Sequence, residues 1–400
     1  INGAAAAVVD SPIGRRGAGL NPVVVVKDAA KALGAIARVY RSKFTIPVVA
    51  VAGSNGKTTT KDMIAKVLGK KYRVLSTEGN LNNHIGVPTT LFGLRPGHGA
   101  AVVEVGTNHF GEVQYLAEMA RPTHGVITNI GREHLQFFKN LSGVAKAEGE
   151  LFDYLAASGG IAFVNADDER VARLGGKNGR KVTYGFGSRA GSVRGKDLEI
   201  TRSGLPRFTV HRRGRKPFGV KLTVPGRHAA SNALAAAAIG LAFGVPAGGI
   251  RSAFAEFRPV GKRMETVKAN GVTILDDTYN ANPESVISAL DTLGLFAGRG
   301  RRIVVLADML ELGKNARHEH ELVGAAIRKR GFTDVLTFGP LAAHYLKPGG
   351  PGKHYADKRQ LATELCSMTR PGDVVLVKGS RGMKMEEVVA SLVECPGRAA

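Results

Sequence analysis

The residues of this chain best suited to chemistry lie in the segment VVAVAGSNGKTTTKDMIAKVL, residues 48–68. An apolar run is followed by a glycine-bearing turn, after which a lysine and threonines open a helical pattern. The residues of the turn and the helix start are Gly53, Ser54, Asn55, Gly56, Lys57, Thr58 and Thr59. Backbone N–H groups of such a turn and helix start bind phosphate, the lysine adds positive charge, and a threonine hydroxyl ligates Mg²⁺. The segment therefore predicts a site for a nucleoside triphosphate.

The turn departs from the standard phosphate-binding motif, G-x-x-x-x-G-K-[ST], because Val51 stands where glycine is expected. The alternative interpretation is an ordinary glycine-rich turn with a solvated lysine. The flanking patterns favour the phosphate interpretation, since an apolar strand pattern ends at Ala52 and Met63, Ile64 and Val67 form a helical stripe.

Acidic and imidazole side chains near strand ends are candidate ligands for the metal that accompanies phosphates. Glu104 lies in the apolar run AAVVEV, and His134 follows the run GVITNI. Ligands gather at the carboxyl ends of parallel strands, so Glu104 is predicted to bind Mg²⁺ directly or through water. The alternative for Glu104 is a surface glutamate. His134 is a metal ligand, a phosphate contact or a core histidine.

Two helical segments carry further candidates. In VAKAEGELF, Glu148 lies between Lys146 and Glu150, which are four residues apart and could form a simple surface ion pair. In PGRHAASNALAAAA, His228 and Asn232 share one helix face. An asparagine can read an adenine edge through its paired donor and acceptor atoms, whereas the alternative for both residues is helix capping or packing.

The last candidates follow strand-like runs in the C-terminal part of the chain. Asp277, in ILDDTYNANPES, could fix a ribose or a lysine, while the asparagines and proline beside it are also typical of turns. Lys378, Ser380 and Arg381, in VLVKGSRGMKMEEVV, form a possible carboxylate-binding site between a strand and a helix.

Composition limits the class of protein. The chain has 400 residues, which favours roughly two or three domains. A net charge of +23 is compatible with nucleic-acid binding, polyanionic substrates or a basic surface, but no nucleic-acid-binding signature is present, so nucleic acid is not expected as a partner. Two cysteines form no disulfide framework and fit a reducing cytosol. The longest apolar stretch, 233–245, is too short to span a bilayer, which predicts a buried helix and no membrane insertion.

The fold class is predicted as α/β, with three parts: residues 1–44, 45–257 and 258–400. Residues 1–44 are half of a small α/β module. Both larger parts alternate strand-like and helical patterns, which predicts parallel sheets flanked by helices. The strand candidates are 46–52, 100–105, 125–130, 160–165, 272–277, 302–308, 334–339 and 373–379. Short alternating runs at 181–224 predict antiparallel hairpins, and 227–256 is helix-rich.

These motifs, in this order, resemble those of the Mur ligase family over nearly the whole chain. The segments with counterparts are AGSNGKTTTKDMIA, NLNNHIGVP, EVGTNHFGEV, NIGREHL, AKAEGELF, GRHAASNALAA, DDTYNANP, ADMLELG and VKGSRGMKMEEVV. The resemblance is greatest to members that add D-Ala-D-Ala to UDP-N-acetylmuramoyl-tripeptide. It implies a partial N-terminal UDP-sugar-binding module, a central P-loop-type ATPase domain and a C-terminal Rossmann-like domain, acting as a cytoplasmic monomer in peptidoglycan precursor synthesis.

By the same resemblance, ATP and Mg²⁺ bind between the last two domains. Lys57, Glu104 and His134 are implied as catalytic residues, and Glu104 and His134 join Thr58 around the metal. Glu148 is added to the catalytic and metal-binding residues as a hypothesis, explained below. The nucleotide contacts are implied to be residues 53–59 with His228, Asn232, Arg263 and Asp277. The implied substrate contacts are Asn83, Asn129, Asn280, Asn282, Lys378, Ser380 and Arg381. The implied reaction is amide formation through an acyl phosphate, made when the substrate carboxylate attacks the γ-phosphate of ATP.

Two departures from the family pattern stand out. Many members carry a carbamoylated lysine where Glu148 stands, so we hypothesise that Glu148 supplies a permanent carboxylate, although Lys146 lies two residues earlier. Residues 1–44 are expected to be only about the last half of the UDP-binding module. We therefore expect weak affinity for the uridine end of the substrate and normal ATP binding.

Other functions remain as alternatives. The D-N-P-R signature of the diaminopimelate-adding members is absent from the sequence, and folylpolyglutamate synthase, which shares the fold and mechanism, fits less well. A regulatory or nucleic-acid-associated NTPase would need a switch element or a basic binding module. The third residue of the acceptor peptide, diaminopimelate or lysine, is left open.

Overall fold

The computed structural model describes residues 6–11, 22–187, 191–259, 261–296, 298 and 300–395. The rest of the predicted N-terminal module, residues 1–5 and 12–21, lies outside this range. The strands are β1 (Ala7–Val9), β2 (Val23–Val25), β3 (Val48–Ala52), β4 (Val74–Ser76), β5 (Ala100–Glu104), β6 (His124–Ile127), β7 (Ile161–Asn165), β8 (Lys181–Gly185), β9 (Val193–Ile200), β10 (Pro206–Arg212), β11 (Phe218–Lys221), β12 (Glu265–Ala269), β13 (Val272–Asp277), β14 (Arg302–Ala307), β15 (Val335–Phe338), β16 (Lys353–Tyr355) and β17 (Val374–Lys378).

The helices alternate with these strands through most of the chain. They are α1 (Ala29–Ser42), α2 (Lys57–Leu68), α3 (Gly86–Phe92), α4 (Glu112–Ala120), α5 (Leu135–Phe138), α6 (Leu141–Ser158), α7 (Glu169–Leu174), α8 (Arg227–Ala242), α9 (Ala247–Glu256), α10 (Pro283–Leu295), α11 (Ala316–Lys329), α12 (Lys358–Met368) and α13 (Glu386–Glu394). None of the described helices is long and apolar enough to cross a membrane.

The central sheet has nine strands in the order β11-β10-β9-β8-β7-β6-β3-β5-β4. Every residue of β3 and β5 is buried, because helices cover both faces of this parallel part, as its continuous apolar runs require. The predicted hairpins are confirmed for β9 to β11, which pair antiparallel. The prediction is wrong for β8, which pairs in parallel with both β7 and β9.

The C-terminal sheet has six strands in the order β12-β13-β17-β14-β15-β16. Only its edge pair β12–β13 is antiparallel, and the other pairs are parallel. The order reverses beside β17, so the carboxyl ends of β13, β14 and β17 lie together, where open α/β sheets bind ligands. The α/β prediction is confirmed for both parts.

Helix α1, from the predicted N-terminal module, packs on the central domain. Ala37 is buried in the same apolar cluster as residues of β3 and α4. The guanidinium of Arg41 donates to the carbonyl oxygens of Ala120 (3.0 Å) and Ile46 (3.0 Å). This helix therefore shares the core of the central domain.

The pairing of the two cysteines was not predicted from the sequence, which indicated reduced thiols. The Sγ atoms of Cys366 and Cys395 are paired, with Cα atoms 6.0 Å apart. They are 29 residues apart in sequence and meet only because α12 packs against α13, which their spacing could not reveal.

Candidate active site

The loop between β3 and α2 depends on glycine at both ends. Gly53 has φ of 112° and Gly56 has φ of 79°, values in the left-handed region that glycine tolerates. A Cβ on Gly53 would collide with Thr128. Gly56 caps α2 without a side-chain hydrogen bond, so the first amides of the helix remain available to an anion. The local structure therefore matches the predicted phosphate cradle.

Residues just after β6 hold this loop in place. The Asn55 N–H donates to Asn129 Oδ1 (3.0 Å), and Asn129 Nδ2 donates back to the Asn55 carbonyl (2.9 Å). The Ser54 hydroxyl exchanges hydrogen bonds with the backbone of Gly131 (2.8 and 3.2 Å). Because the Asn129 amide is committed to the loop, the structure lends no support to its predicted substrate contact, which stays a prediction.

Lys57 lies among three buried carboxylates. Its Nζ donates to the Gly53 carbonyl (2.5 Å) and lies 3.4 Å from Glu133 Oε2. Burial alone would lower the pKa of Lys57, but the carboxylates of Glu133, Glu148 and Glu104 raise it above its ordinary value. The lysine is therefore charged throughout the physiological range and faces more negative charge than it can neutralise.

Each of the three carboxylates has one satisfied and one unsatisfied oxygen. Glu104 Oε1 accepts from Asn82 Nδ2 (2.8 Å), and Glu148 Oε2 accepts from the Gly53 N–H (2.7 Å). The other oxygens, Glu104 Oε2, Glu133 Oε1 and Glu148 Oε1, are buried without a hydrogen-bond partner. Buried polar atoms are normally paired, so three such oxygens around one phosphate loop need a ligand.

Burial dominates the electrostatics of Glu148, which has no exposed surface. Desolvation raises its pKa to about 8, although nearby Lys57 opposes this shift. Glu148 therefore holds a proton at neutral pH until a further positive charge enters the site.

The donor set fits Mg²⁺ that arrives with a nucleotide. Within the described ranges, no group of three or more His, Cys, Asp or Glu is close enough to hold a metal ion by itself. Mg²⁺ in nucleotide sites uses one or two carboxylates together with substrate phosphates. The unsatisfied oxygens of Glu104 and Glu148, with Thr58 on the first turn of α2, match that requirement.

The loop after β6 also contacts the C-terminal domain. Arg132 donates to Glu284 from its backbone (2.9 Å) and from Nε (2.6 Å), and its Nη1 lies 3.2 Å from Glu319. His134 Nδ1 lies 2.7 Å from Glu311 Oε2. The imidazole predicted as a metal ligand is thus in contact with a carboxylate of the other domain, and its metal role stays a prediction.

The C-terminal sheet presents a neutralised pair at the same cleft. Asp277 and Lys378 are register partners at the ends of β13 and β17, and their charged atoms lie 2.6 Å apart. The second Asp277 oxygen accepts from the Met264 N–H (3.0 Å), and Lys378 also donates to the Asn280 carbonyl (2.7 Å). Of the two roles open to Asp277, ribose or lysine, the structure shows the lysine.

The predicted base-binding residues lie on α8, and the ring of His228 also contacts α10, where Ser288 Oγ lies 3.0 Å from its Nδ1. His228 and Asn232 on α8 both line the cavity, and Asn232 packs against Gly56. Burial lowers the pKa of His228, although Asp277 opposes this, so its ring is neutral and can form directional hydrogen bonds. The Arg263 guanidinium stacks 3.7 Å above the Tyr279 ring, which leaves its edge free to reach an anion.

A cavity of about 710 Å³ joins both domains. The predicted site residues that line it are Ser54, Asn55, Gly56, Lys57, Thr58, Thr59, Asn83, Glu104, Asn129, His134, His228, Asn232, Arg263, Asp277, Asn280, Asn282 and Lys378. Gly53 is the first residue of the loop, and buried Glu148 contacts the loop by accepting the Gly53 N–H (2.7 Å). Asn282 caps α10 and donates to Asn55 Oδ1 (2.9 Å), linking the C-terminal domain to the phosphate loop.

Two predicted substrate residues are not brought to the cavity. The Ser380 hydroxyl is buried between the Leu310 N–H (2.8 Å) and the Ala281 carbonyl (3.3 Å). Arg381 is exposed and donates to Glu386 (2.9 Å). Sequence reasoning also missed Glu133 and Asn82, and the only available signal for Glu133 was its place beside His134.

Comparison with known proteins gives consistent matches. The Mur ligase middle domain matches residues 51–240, and the Mur ligase glutamate ligase domain matches residues 262–381. The UDP-N-acetylmuramoyl-tripeptide–D-alanyl-D-alanine ligase of Escherichia coli (strain K12) is 37% identical over 381 residues, covering 93% of this chain and 82% of that protein. MurF from Acinetobacter baumannii has a TM-score of 0.88 at 30% identity, covering 97% of this chain and 84% of that one. MurF ligase from Thermotoga maritima in complex with ADP has a TM-score of 0.88 at 26% identity, and the match covers 98% of this chain and 89% of that one.

Proposed function

The chain belongs to the Mur ligase family, and we propose that it is the ATP-dependent ligase that adds D-Ala-D-Ala to UDP-N-acetylmuramoyl-tripeptide. The observation that carries this function is the arrangement at the phosphate loop. Lys57 and three buried carboxylates with unsatisfied oxygens meet there, at a cavity that the C-terminal domain also lines. A site of this kind brings a nucleotide, a metal and two further substrates together.

Different residues of the chain contribute to different steps of amide formation. The amides at the start of α2 bind the phosphates, and Lys57 stabilises negative charge on the transferred phosphoryl group. Glu104, Glu148 and Thr58 would hold the Mg²⁺ that accompanies the nucleotide, and this ion would neutralise charge on the phosphates. The substrate carboxylate attacks the γ-phosphorus, ADP leaves, and the amine of D-Ala-D-Ala displaces phosphate from the acyl carbon. The contacts of Asn282 and Arg132 hold the C-terminal domain over the loop, which excludes water from the acyl phosphate.

Glu148 is proposed to take the place of a carbamoylated lysine. Its side chain is fully buried behind the loop, bonded to the Gly53 N–H, with Oε1 unsatisfied. Lys146 does not compete for this position, because its Nζ lies 5.3 Å from the centre of the Phe110 ring. Activity is therefore expected to be independent of bicarbonate, and Glu148→Ala is expected to abolish it. Full activity of that variant, or a carbamoyl adduct on Lys146 in the intact mass, would refute this role.

Phosphate release tests the function itself. With the full chain, ATP and Mg²⁺, release is expected only when UDP-N-acetylmuramoyl-tripeptide and D-Ala-D-Ala are both present. Acceptors with diaminopimelate and with lysine as third residue are compared in parallel. No increase over ATP alone with either acceptor would refute the proposal, and phosphate release driven by a folate and glutamate, or by nucleic acid, would favour an alternative.

We further propose that the protein is a cytoplasmic monomer. The support is that the phosphate loop and the C-terminal domain of the same chain supply the residues for nucleotide and metal at the cavity. Light scattering at the concentration used for kinetics tests the monomer, and a mass of two chains would contradict it.

A further inference from the structure

Glu133 is a carboxylate of the site that neither the sequence motifs nor the family resemblance singled out. It follows β6 and precedes α5, lines the shared cavity and is 7% exposed. Its Oε2 lies 3.4 Å from Lys57 Nζ, and its Oε1 is buried without a hydrogen-bond partner. One oxygen thus faces the lysine of the phosphate loop, and the carboxylate also adjoins that of Glu148, whose pKa it helps to raise.

An ion pair with Lys57 does not account for this arrangement. Lys57 makes its shortest contact, 2.5 Å, with the Gly53 carbonyl, and its 3.4 Å contact with Glu133 is long for a charge-assisted hydrogen bond. Glu104 and Glu148 already surround the same ammonium group. A third buried carboxylate with an unsatisfied oxygen costs free energy unless a cation compensates it.

The backbone fixes the direction of Glu133. Its N–H donates to the Gly131 carbonyl (3.0 Å), and the next residue, His134, has φ of 48°, a left-handed conformation that is costly for a non-glycine residue. Arg132, on the other side, is tied to Glu284 of the C-terminal domain. Glu133 is therefore held between two anchored neighbours, with its carboxylate at the cavity.

We infer that Glu133 is an additional carboxylate toward the divalent cation that enters with the nucleotide, complementing Glu104 and Glu148. This inference rests on the proposed function for the presence of nucleotide and metal. Hard divalent cations bind carboxylate oxygens either directly or through a coordinated water molecule. The unsatisfied Oε1 is the atom available for that contact.

Mn²⁺ binding to the protein saturated with ADP tests the inference without turnover. Free Mn²⁺ is followed by electron paramagnetic resonance in the wild type, Glu133→Gln and Glu112→Gln. Glu112 lines the same cavity, but its Oε2 is satisfied by its own loop, so that variant serves as the matched control. Glu133→Gln is expected to weaken Mn²⁺ binding about 10-fold or more, whereas Glu112→Gln stays within about twofold of the wild type.

Binding of metal-free ADP separates a metal role from a role limited to Lys57. Loss of one negative charge near the phosphates should leave the affinity for metal-free ADP unchanged or increase it. A change confined to metal-free ADP, with normal Mn²⁺ affinity, would overturn the inference. Should Glu133→Gln fail to fold, Glu133→Asp keeps the charge but draws it back by one methylene, and it must also weaken Mn²⁺ binding. Dipeptide-dependent phosphate release by the wild type reports separately on the proposed function.

Discussion

The two sheets of this protein differ in whether the buried charges near their carboxyl edges are paired. At the phosphate edge, defined by Glu104, Glu133 and Glu148 around Lys57, three carboxylate oxygens have no partner. At the paired edge, Asp277 and Lys378 neutralise each other at 2.6 Å, and the second Asp277 oxygen accepts a backbone N–H. Both edges line one cavity.

This difference shows which edge depends on a ligand. The charges of the paired edge neutralise each other without a ligand, so they stabilise the C-terminal domain and set the position of neighbouring side chains. The phosphate edge carries an excess of negative charge that only an incoming cation can balance. Mutations at the phosphate edge should therefore change ligand binding and catalysis, while mutations at the paired edge should change stability.

The largest expected effect is the loss of activity in Lys57→Ala. Removal of Lys57, which faces the three carboxylates, takes away a preorganised charge for phosphoryl transfer, and kcat should fall on the order of 1000-fold. The measurement is dipeptide-dependent phosphate release. Lys66→Ala, on the same helix but with its side chain 43% exposed, is the control and should retain activity within about twofold. Equal activity of the two variants would contradict the account.

Lys378→Met should destabilise the C-terminal domain by about 3–5 kcal/mol, because Asp277 is left without its counterion in a largely buried position. Denaturant unfolding measures this free energy. Lys353→Met removes a lysine whose side chain is 67% exposed and paired with Glu364, and it should cost less than about 1 kcal/mol. A loss in Lys378→Met no greater than in this control would remove the distinction between the edges.

Glu148→Gln should stabilise the ligand-free protein at alkaline pH by about 1–3 kcal/mol while lowering metal affinity. The raised pKa of Glu148, about 8 against an ordinary 4.5, means that the folded protein binds the carboxyl proton more tightly than the unfolded chain. The stabilisation from this group is complete below pH 4.5 and is lost as the pH rises to about 8. Glutamine keeps the acceptor for the Gly53 N–H without the charge.

The advantage of Glu148→Gln over the wild type should therefore grow between pH 5 and pH 9 in thermal or denaturant unfolding of the ligand-free protein. A stability difference between Glu148→Gln and the wild type that is constant with pH, or a variant less stable than the wild type at pH 9, would contradict this prediction. Either result would show that groups of the protein already neutralise the charge of Glu148.

The smallest expected effect concerns the connection between the two edges. Arg132→Ala removes the side-chain contacts to Glu284 and Glu319 and leaves the backbone bond to Glu284 in place. The Michaelis constant for D-Ala-D-Ala should rise about threefold to tenfold with little change in kcat. Arg317→Ala, an exposed arginine paired with Glu321, is the control. An unchanged Michaelis constant would mean that these ion pairs do not hold the domains together.

Local patterns in the sequence predicted the elements well. Strand 272–277 and the helix that opens at Lys57 are observed with those bounds, because apolar runs and turn residues act over a few neighbouring positions. The phosphate loop was predictable for the same reason. Its contacts to Asn129 could not be predicted, since they depend on the pairing of β3 with β6.

Long-range pairing explains what the sequence left open at the site. Asp277 and Lys378 are 101 residues apart and meet through the parallel register of β13 and β17. Ser380 was predicted beside the substrate, but its hydroxyl is used within the C-terminal domain. Glu133 lies within the segment NIGREHL, but the pattern did not single it out, and its burial beside Lys57 shows that it belongs to the site.

The most direct test of the central claim follows an isotope from substrate to phosphate. The claim is that the phosphate edge transfers the γ-phosphoryl group of ATP to a substrate carboxylate. UDP-N-acetylmuramoyl-tripeptide labelled with ¹⁸O in its reacting carboxylate is incubated with the full chain, ATP, Mg²⁺ and D-Ala-D-Ala. The account predicts one ¹⁸O atom in each phosphate released, because the bridging oxygen leaves with phosphorus when the amine attacks. Phosphate released without ¹⁸O would contradict it.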